Sequence, residues 1–308
     1  MVEQKAKPTD GRSITMPKSA DMASIFPPRG FVLARAIRLG ELVAEAYRQY
    51  DCFREGADWN APAGYELVRR LSYSWRPLGS IDKNGKLDDY LRRLGTFGKA
   101  KSAEIPIGFV ARRRNEAFLV FRGTQTASEW VNNFNAKFVD FFLDGAGSVH
   151  EGFQNAYLQF RSQIAVALEG LDAARIHVAG HSLGAAFATF AAYDLERVLH
   201  RKVASLHTFG SPRIGDDAFV RGFNASFGRK TFRIANTADL VTEIPFPVPF
   251  AGVFGGYFSH ADAPVVLTVQ KNDIEQNHSI ATYVAALRAG DRRRGWIAKL
   301  FGGFTPRT

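Results

Sequence analysis

The sequence predicts an α/β fold, with a mostly parallel central sheet flanked by helices. Short apolar runs alternate with segments of helical periodicity, the order that strand–helix–strand crossovers impose. The runs are nearly continuously apolar, as strands covered on both faces must be. One of them, at 175–180, ends in a glycine turn that opens an alanine-rich helix, so that residues 177–190 read HVAGHSLGAAFATF.

The elements follow in order. Residues 1–28 are polar and contain proline, without the apolar core of roughly 7–15 residues that a signal peptide needs, and read as a flexible tail. The expected compartment is therefore cytoplasmic, or secreted without an evident signal peptide. Residues 31–50, FVLARAIRLGELVAEAYRQY, carry apolar side chains at helical spacing. Strands are predicted at 65–73 and 105–112, with the turn-rich GSIDKNGKLDDYLRRLGTFGK between them holding a short helix. EAFLVFRG at 116–123 is a buried strand by composition, 152–171 is helical, 175–180 is a strand and 183–199 a long helix. VASLHTFG, TFRIAN and APVVLTV supply further strands, and HSIATYVAALRAG closes with a helix and a glycine stop at Gly290. With no internal repeat and no long linker, residues 29–290 form one domain, followed by a basic-aromatic tail at 291–308.

Composition bounds the function. Hydrophobic residues are 46% of the chain, enough for a large core and too many for global disorder. No apolar run approaches the roughly 18 residues of a membrane span. Cys52 is the only cysteine, which excludes an intramolecular disulfide. A net charge of +10 favours contact with anionic surfaces, but no zinc-finger spacing or ribonucleoprotein-like aromatic motif appears, so no nucleic-acid partner is expected. In the tail, Arg292, Arg293, Arg294 and Lys299 alternate with Trp296, Leu300, Phe301 and Phe304. That combination suits transient contact with a lipid interface or anionic membrane, and equally suits aromatics docked on their own domain. The histidines and carboxylates lack metal-ligand spacing, so neither a metal nor another cofactor is expected.

The chemistry centres on Ser182. In a strand–turn–helix context, Gly180 and Gly184 let strand and helix approach without clashing while Ser182 is held strained, with its hydroxyl exposed. The following helix aims its amino terminus at the reacting centre, where its dipole favours developing negative charge. A serine hydroxyl needs a base oriented by a carboxylate, and in this architecture the chain order is serine, acid, histidine. His200, at the polar end of a helix, and His207, inside a strand, read as structural or exposed. His278 follows the last strand and reaches back over the sheet's carboxyl edge, whereas His260 precedes that strand and should enter from the opposite end. Among the acids, Asp239 is preferred to Asp262, Asp273 and Glu243 because it stands just past a strand end, where catalytic groups converge. An oxyanion donor is expected at the backbone N–H of Leu183, the residue after the nucleophile.

Several ordered blocks extend this pattern: FRGT (121–124), SEW (128–130), VHEGF (149–153), GHSLG (180–184), TFGSPRIGD (208–216), NTADLVTEIP (236–245), GYFSH (256–260) and NHSIATY (277–283). Over roughly residues 105–290 the chain resembles the fungal lipase-like, or class 3, lipases of the α/β-hydrolase fold. The resemblance implies Ser182 as nucleophile, Asp239 as acid, His278 as base and Thr124 as second oxyanion donor. It implies a lid segment over the active site within QTASEWVNNFNAKFVDFFLDGAG, where Trp130, Val131, Phe134 and Phe138 recur at helical spacing. The proline-rich IPFPVPFAGVFGGYF (244–258) is expected to wall the pocket through Phe246 and Val248, with His181 and His260 near the substrate. The implied function is a serine carboxylic-ester hydrolase, foremost a lipase acting on acylglycerol esters. Short-chain or feruloyl-type carboxylesterase and phospholipase A1 are alternatives, and a non-catalytic membrane-associating binding protein is the alternative of another class.

Overall fold

The computed structural model describes residues 28–75, 103–124, 137–173, 175–245, 258–261 and 264–301. Helix α1 (Leu33–Glu55) leads into strands β1 (Glu66–Trp75), β2 (Ala103–Arg113) and β3 (Glu116–Phe121). A short pair, β4 (Phe138–Asp140) and β5 (Ser148–His150), precedes helix α2 (Glu151–Glu169). Strand β6 (Arg175–His181), helix α3 (Leu183–Arg197), strand β7 (Val203–Phe209), helix α4 (Asp217–Phe227) and strand β8 (Thr231–Asn236) follow. A 3-10 turn (Leu240–Glu243), strand β9 (Pro264–Leu267) and helices α5 (Ile274–His278) and α6 (Ile280–Phe301) complete the chain.

The seven-stranded sheet has the order β1-β2-β3-β6-β7-β8-β9. The first two pairings are antiparallel and the remaining four are parallel. Each face carries its own core. On one, α1 buries Ala36, Leu39, Leu42, Val43 and Ala46 along a helical stripe, and α6 buries Ile280, Tyr283, Val284 and Leu287 beside it. On the other, Phe153 and Phe160 of α2 meet Phe187 and Phe190 of α3. The parallel register sets Gly180 beside Phe121, His181 beside Phe209 and Asn236 beside Leu267, so the carboxyl ends of β3, β6, β7, β8 and β9 come out along one edge.

The structure departs from two expectations and adds one helix that the sequence did not reveal. The last helix does not stop at Gly290: α6 continues to Phe301, so the boundary at 290/291 falls inside one element. A single glycine inside a helix costs only about 1 kcal/mol, and the residues on both sides are helix-compatible. Helix α4 was not legible, because Gly222, Asn224 and Ser226 are weak helix formers. It is held by Phe219, Phe223 and Phe227 on one face, each ring 5.6–5.8 Å from that of Tyr193, and by the Asp216 side chain accepting from Phe219 N at 2.7 Å. Phe138 belongs to strand β4, paired with His150, and not to a helix with Trp130 and Phe134. His278 is the last residue of α5.

Candidate active site

Ser182 sits between β6 and α3 with φ 57° and ψ −127°, a left-handed conformation that strains a residue with a β-carbon by roughly 1–3 kcal/mol. The neighbours over-determine it. Its N–H donates to Phe209 O at 3.0 Å, fixing the turn to the end of β7. A β-carbon on Gly180 would stand 1.9 Å from Gly184 O, so the turn cannot close on the helix with any larger residue there. A β-carbon on Gly184 would stand 2.4 Å from Arg122 O, so this second glycine admits the end of β3. Instead of the exposed hydroxyl expected from the motif, Ser182 retains 1% of its surface. Leu183 is the first residue of α3, and its N–H lies among those that a helix leaves without an internal acceptor.

The acid and base come from two further carboxyl-edge segments. Asp239 caps the 3-10 turn, its Oδ1 accepting from Val241 N at 2.9 Å. Its Oδ2 lies 2.7 Å from His278 Nδ1 and accepts from the Tyr283 hydroxyl at 2.6 Å. Tyr283 Oη in turn accepts from Asn236 N at 3.1 Å, which ties the pair to the end of β8. Burial first, and the Asp239 charge second, push the Tyr283 phenol well above its usual range, so it stays a donor. Gly210 has φ 55°, and a β-carbon there would lie 2.9 Å from Asp239 Oδ2 and 3.0 Å from His278 Cε1. With Nδ1 on the carboxylate, Nε2 is left for a second proton partner. Ser182 Oγ and His278 Nε2 are both buried and without a hydrogen-bond partner among the described residues. Orphaned polar atoms usually cost about 1–3 kcal/mol, and active sites are where folds retain them.

The FRGT block stands against the serine. A β-carbon on Gly123 would meet Ser182 Cβ at 2.5 Å and the Tyr47 hydroxyl at 2.7 Å, so only glycine lets the strand end this close. Half-buried Thr124 follows it directly in the chain, its carbonyl 3.5 Å from the Tyr47 hydroxyl. Buried Arg122 braces this strand end, with Nε donating to Pro106 O at 2.8 Å, Nη1 to Gly123 O at 2.7 Å, and the guanidinium 3.8 Å above the Tyr50 ring.

The remaining expected residues divide. Trp130, Phe134, Phe246 and Val248, and with them the expected lid, lie outside the described residues. The flanks of those two segments meet, since Phe138 stacks on Phe258 at 3.8 Å between ring centroids. His181 is turned inward and not toward a substrate: it is 3% exposed, with Nδ1 2.7 Å from the Tyr47 hydroxyl and Nε2 2.6 Å from His278 O. His260 lies against backbone acceptors at Thr242 and Pro212, beyond the ends of β8 and β7, and so not at the opposite end of the sheet. Burial, and then Arg233 and Arg213, hold its imidazole down to about 3, so it stays neutral. His207 is fully buried against Phe232 and Phe31. Sequence reasoning missed Tyr47, Arg122, Gly210 and Tyr283. Tyr283 lay inside the NHSIATY block and Gly210 inside TFGSPRIGD, but nothing in the helical pattern of α1 distinguishes Tyr47.

Taken together, a serine on a strained elbow, a buried imidazole–carboxylate pair and a glycine strand end set against the serine suit nucleophilic acyl transfer. Residues 118–248 match the family model described as Lipase (class 3). A phospholipase A(1) of Arabidopsis thaliana is 33% identical over 153 residues, covering 43% of this chain and 34% of the relative. A lipase of Rhizomucor miehei is 29% identical over 192 residues, covering 58% of this chain and 52% of the relative. The chain thus spans about a third to a half of the length of the curated relatives it matches. Among solved structures, the Rhizomucor miehei lipase propeptide complex aligns with a TM-score of 0.58 at 20% identity, over 86% of this chain and 80% of the other. The lipase of Rhizopus microsporus var. chinensis aligns with a TM-score of 0.55 at 18% identity, over 90% and 96%. The fold is that of the α/β-hydrolase lipases.

Proposed function

We propose that the chain is a serine carboxylic-ester hydrolase, foremost a lipase cleaving acylglycerol esters, a reading supported by the match of residues 118–248 to the class 3 lipase model. The observation that carries the reading is the contact of Asp239 Oδ2 with His278 Nδ1 at 2.7 Å, beside a serine held on a strained elbow. In the proposed reaction His278 Nε2 takes the Ser182 proton as Oγ bonds to the ester carbonyl carbon. The carbonyl oxygen becomes an oxyanion, met by the N–H of Leu183 and by Thr124. His278 then gives its proton to the leaving alkoxy oxygen as that carbon–oxygen bond breaks. Water repeats the sequence on the acyl-enzyme, releasing the carboxylic acid. Asp239 holds the His278 tautomer and stabilises the imidazolium.

An apolar acyl group is supported by the aromatic segments 125–147, which follows Thr124 directly, and 244–258, which lies between Asp239 and His278 in the chain. Identity to a phospholipase A(1) supports a second reading, an acyl ester of a phospholipid. The basic and aromatic residues of 291–308 support a transient contact with an anionic lipid interface. The test is hydrolysis of p-nitrophenyl esters from acetyl to palmitoyl, of emulsified triolein and of phosphatidylcholine vesicles, with Ser182→Ala as control. Long-chain and triolein cleavage lost in the variant is the expected result. Acetyl-only activity would make the protein an esterase, preference for vesicles a phospholipase, and full activity of the variant would overturn the mechanism.

A further inference from the structure

Two side chains beside the site, half-buried Tyr47 and buried His181, have no part in the acyl transfer itself, yet their bonds run from one half of the site to the other. Tyr47 projects from α1, outside the segment that matches the family model. Its hydroxyl oxygen accepts from Gly123 N at 2.9 Å, at the strand end that carries Thr124. The same hydroxyl lies 2.7 Å from His181 Nδ1. His181 Nε2 lies 2.6 Å from the backbone carbonyl oxygen of His278. A carbonyl oxygen only accepts, so Nε2 carries the ring proton, and Nδ1 of the neutral ring must accept. The Tyr47 O–H therefore donates to Nδ1. The direction of each bond in the line is thereby fixed: Gly123 N–H to Tyr47 Oη, Tyr47 O–H to His181 Nδ1, His181 Nε2–H to His278 O, with Thr124 O a longer 3.5 Å from the same hydroxyl.

We infer that Tyr47 and His181 are positioning residues for the reaction, forming a hydrogen-bonded strut that holds the oxyanion strand end and the catalytic histidine in one frame. The inference rests on the hydrolase reading above. The strut links the segments that must move least between ground and transition states, the donors for the oxyanion and the base. Both His181 nitrogens are committed, so it cannot shuttle a proton. Its ring centroid is 4.5 Å from that of His278, where a positive charge would oppose the imidazolium that forms during turnover. Burial, and then His278, hold the His181 imidazole well below its usual range, so the strut stays uncharged as His278 gains its proton.

The test is steady-state kinetics on a soluble p-nitrophenyl ester, beside thermal melts, for Tyr47→Phe, His181→Ala and their combination. Misplacing a reacting group by about 1 Å costs up to ~100-fold in rate. Tyr47→Phe is expected to lower kcat roughly 10- to 100-fold while KM stays within about two-fold, since substrate contacts are untouched. The double variant should be no slower than the slower single one, because either change breaks the same strut. His181→Gln, which can still donate to His278 O, and His181→Asn, which can still accept from Tyr47, should each recover part of the loss seen in His181→Ala. Wild-type kcat in Tyr47→Phe, or losses that multiply in the double variant, would overturn the inference. Should Tyr47→Phe fail to fold, Gln and Asn variants no faster than Ala would do the same. Ser182→Ala separates the two claims: if it is inactive while Tyr47→Phe is normal, only the strut fails, and if it is active the hydrolase reading fails.

Discussion

Tyr283 and His278 bind the same carboxylate oxygen of Asp239, at 2.6 and 2.7 Å. The second oxygen is held by Val241 N, so the carboxylate is fixed at both oxygens and kept facing the imidazole. Removing the phenol with Tyr283→Phe leaves Asp239 with one donor fewer and Asn236 N without its acceptor. A hydrogen bond to a charged group contributes about 1.5–3 kcal/mol, and an orphaned buried donor costs about 1–3 kcal/mol. We expect kcat/KM to fall roughly ten-fold and the melting temperature to drop by several degrees. Unchanged values for both would show that Tyr283 is a bystander.

Asp239→Asn keeps the shape of the site while removing the charge that fixes the His278 tautomer. In Ser-His-Asp enzymes such a change lowers kcat by about 10⁴. The same order of loss is expected here, with folding intact by circular dichroism. His278→Ala should be equally inactive, whereas His260→Ala should retain turnover. Activity surviving in His278→Ala and lost in His260→Ala would reassign the base.

The elbow glycines make a steric prediction. Gly180→Ala sets a β-carbon 1.9 Å from a backbone oxygen that cannot retreat without unwinding the first turn of α3. Overpacking a core typically costs 1–3 kcal/mol, and backbone contact at this distance should cost at least about that. Gly170, at the end of α2, has φ −93° and no atom within 4 Å of its added β-carbon, so Gly170→Ala is the control. It should melt at or slightly above the wild-type temperature, through a stiffer unfolded chain. Equal melting temperatures for the two variants would contradict the close approach.

Acid should destabilise the fold through buried His207 and half-buried His260. Burial, then Arg35 and His177, hold His207 down to about 3, and His260 is held to about 3 as well. Their folded forms stay neutral while the unfolded chain takes up protons below the ordinary value near 6.5. Stability is therefore undiminished above about pH 6.5 and falls as pH drops from there toward 3, by up to about 1.4 kcal/mol per pH unit for each histidine. His207→Phe should flatten the dependence of melting temperature on pH between about 6.5 and 4. A slope as steep as wild type would show that His207 does not contribute.

Much of this protein is readable without coordinates. The strand–helix alternation, the elbow around Ser182, and the order of Asp239 and His278 after it are local patterns, and each local pattern carries its own steric or chemical reason. The short-range signals failed where tertiary packing overrules them. Helix α4 exists because three phenylalanines meet Tyr193 from another part of the chain, and α6 runs through Gly290 because one glycine is a small cost to a long helix.

The contacts that hold the site together lie beyond any local pattern. Tyr47 meets His181 across 134 residues of chain, and Tyr283 meets Asp239 across 44. His181 read as a substrate contact because it adjoins the nucleophile, and it turns inward because two acceptor and donor groups wait there. By itself the sequence determined which groups can do the chemistry and in what order they occur. Only the tertiary structure decided which neighbours hold them, because a hydrogen bond depends on position in space, and separation along the chain carries no record of it.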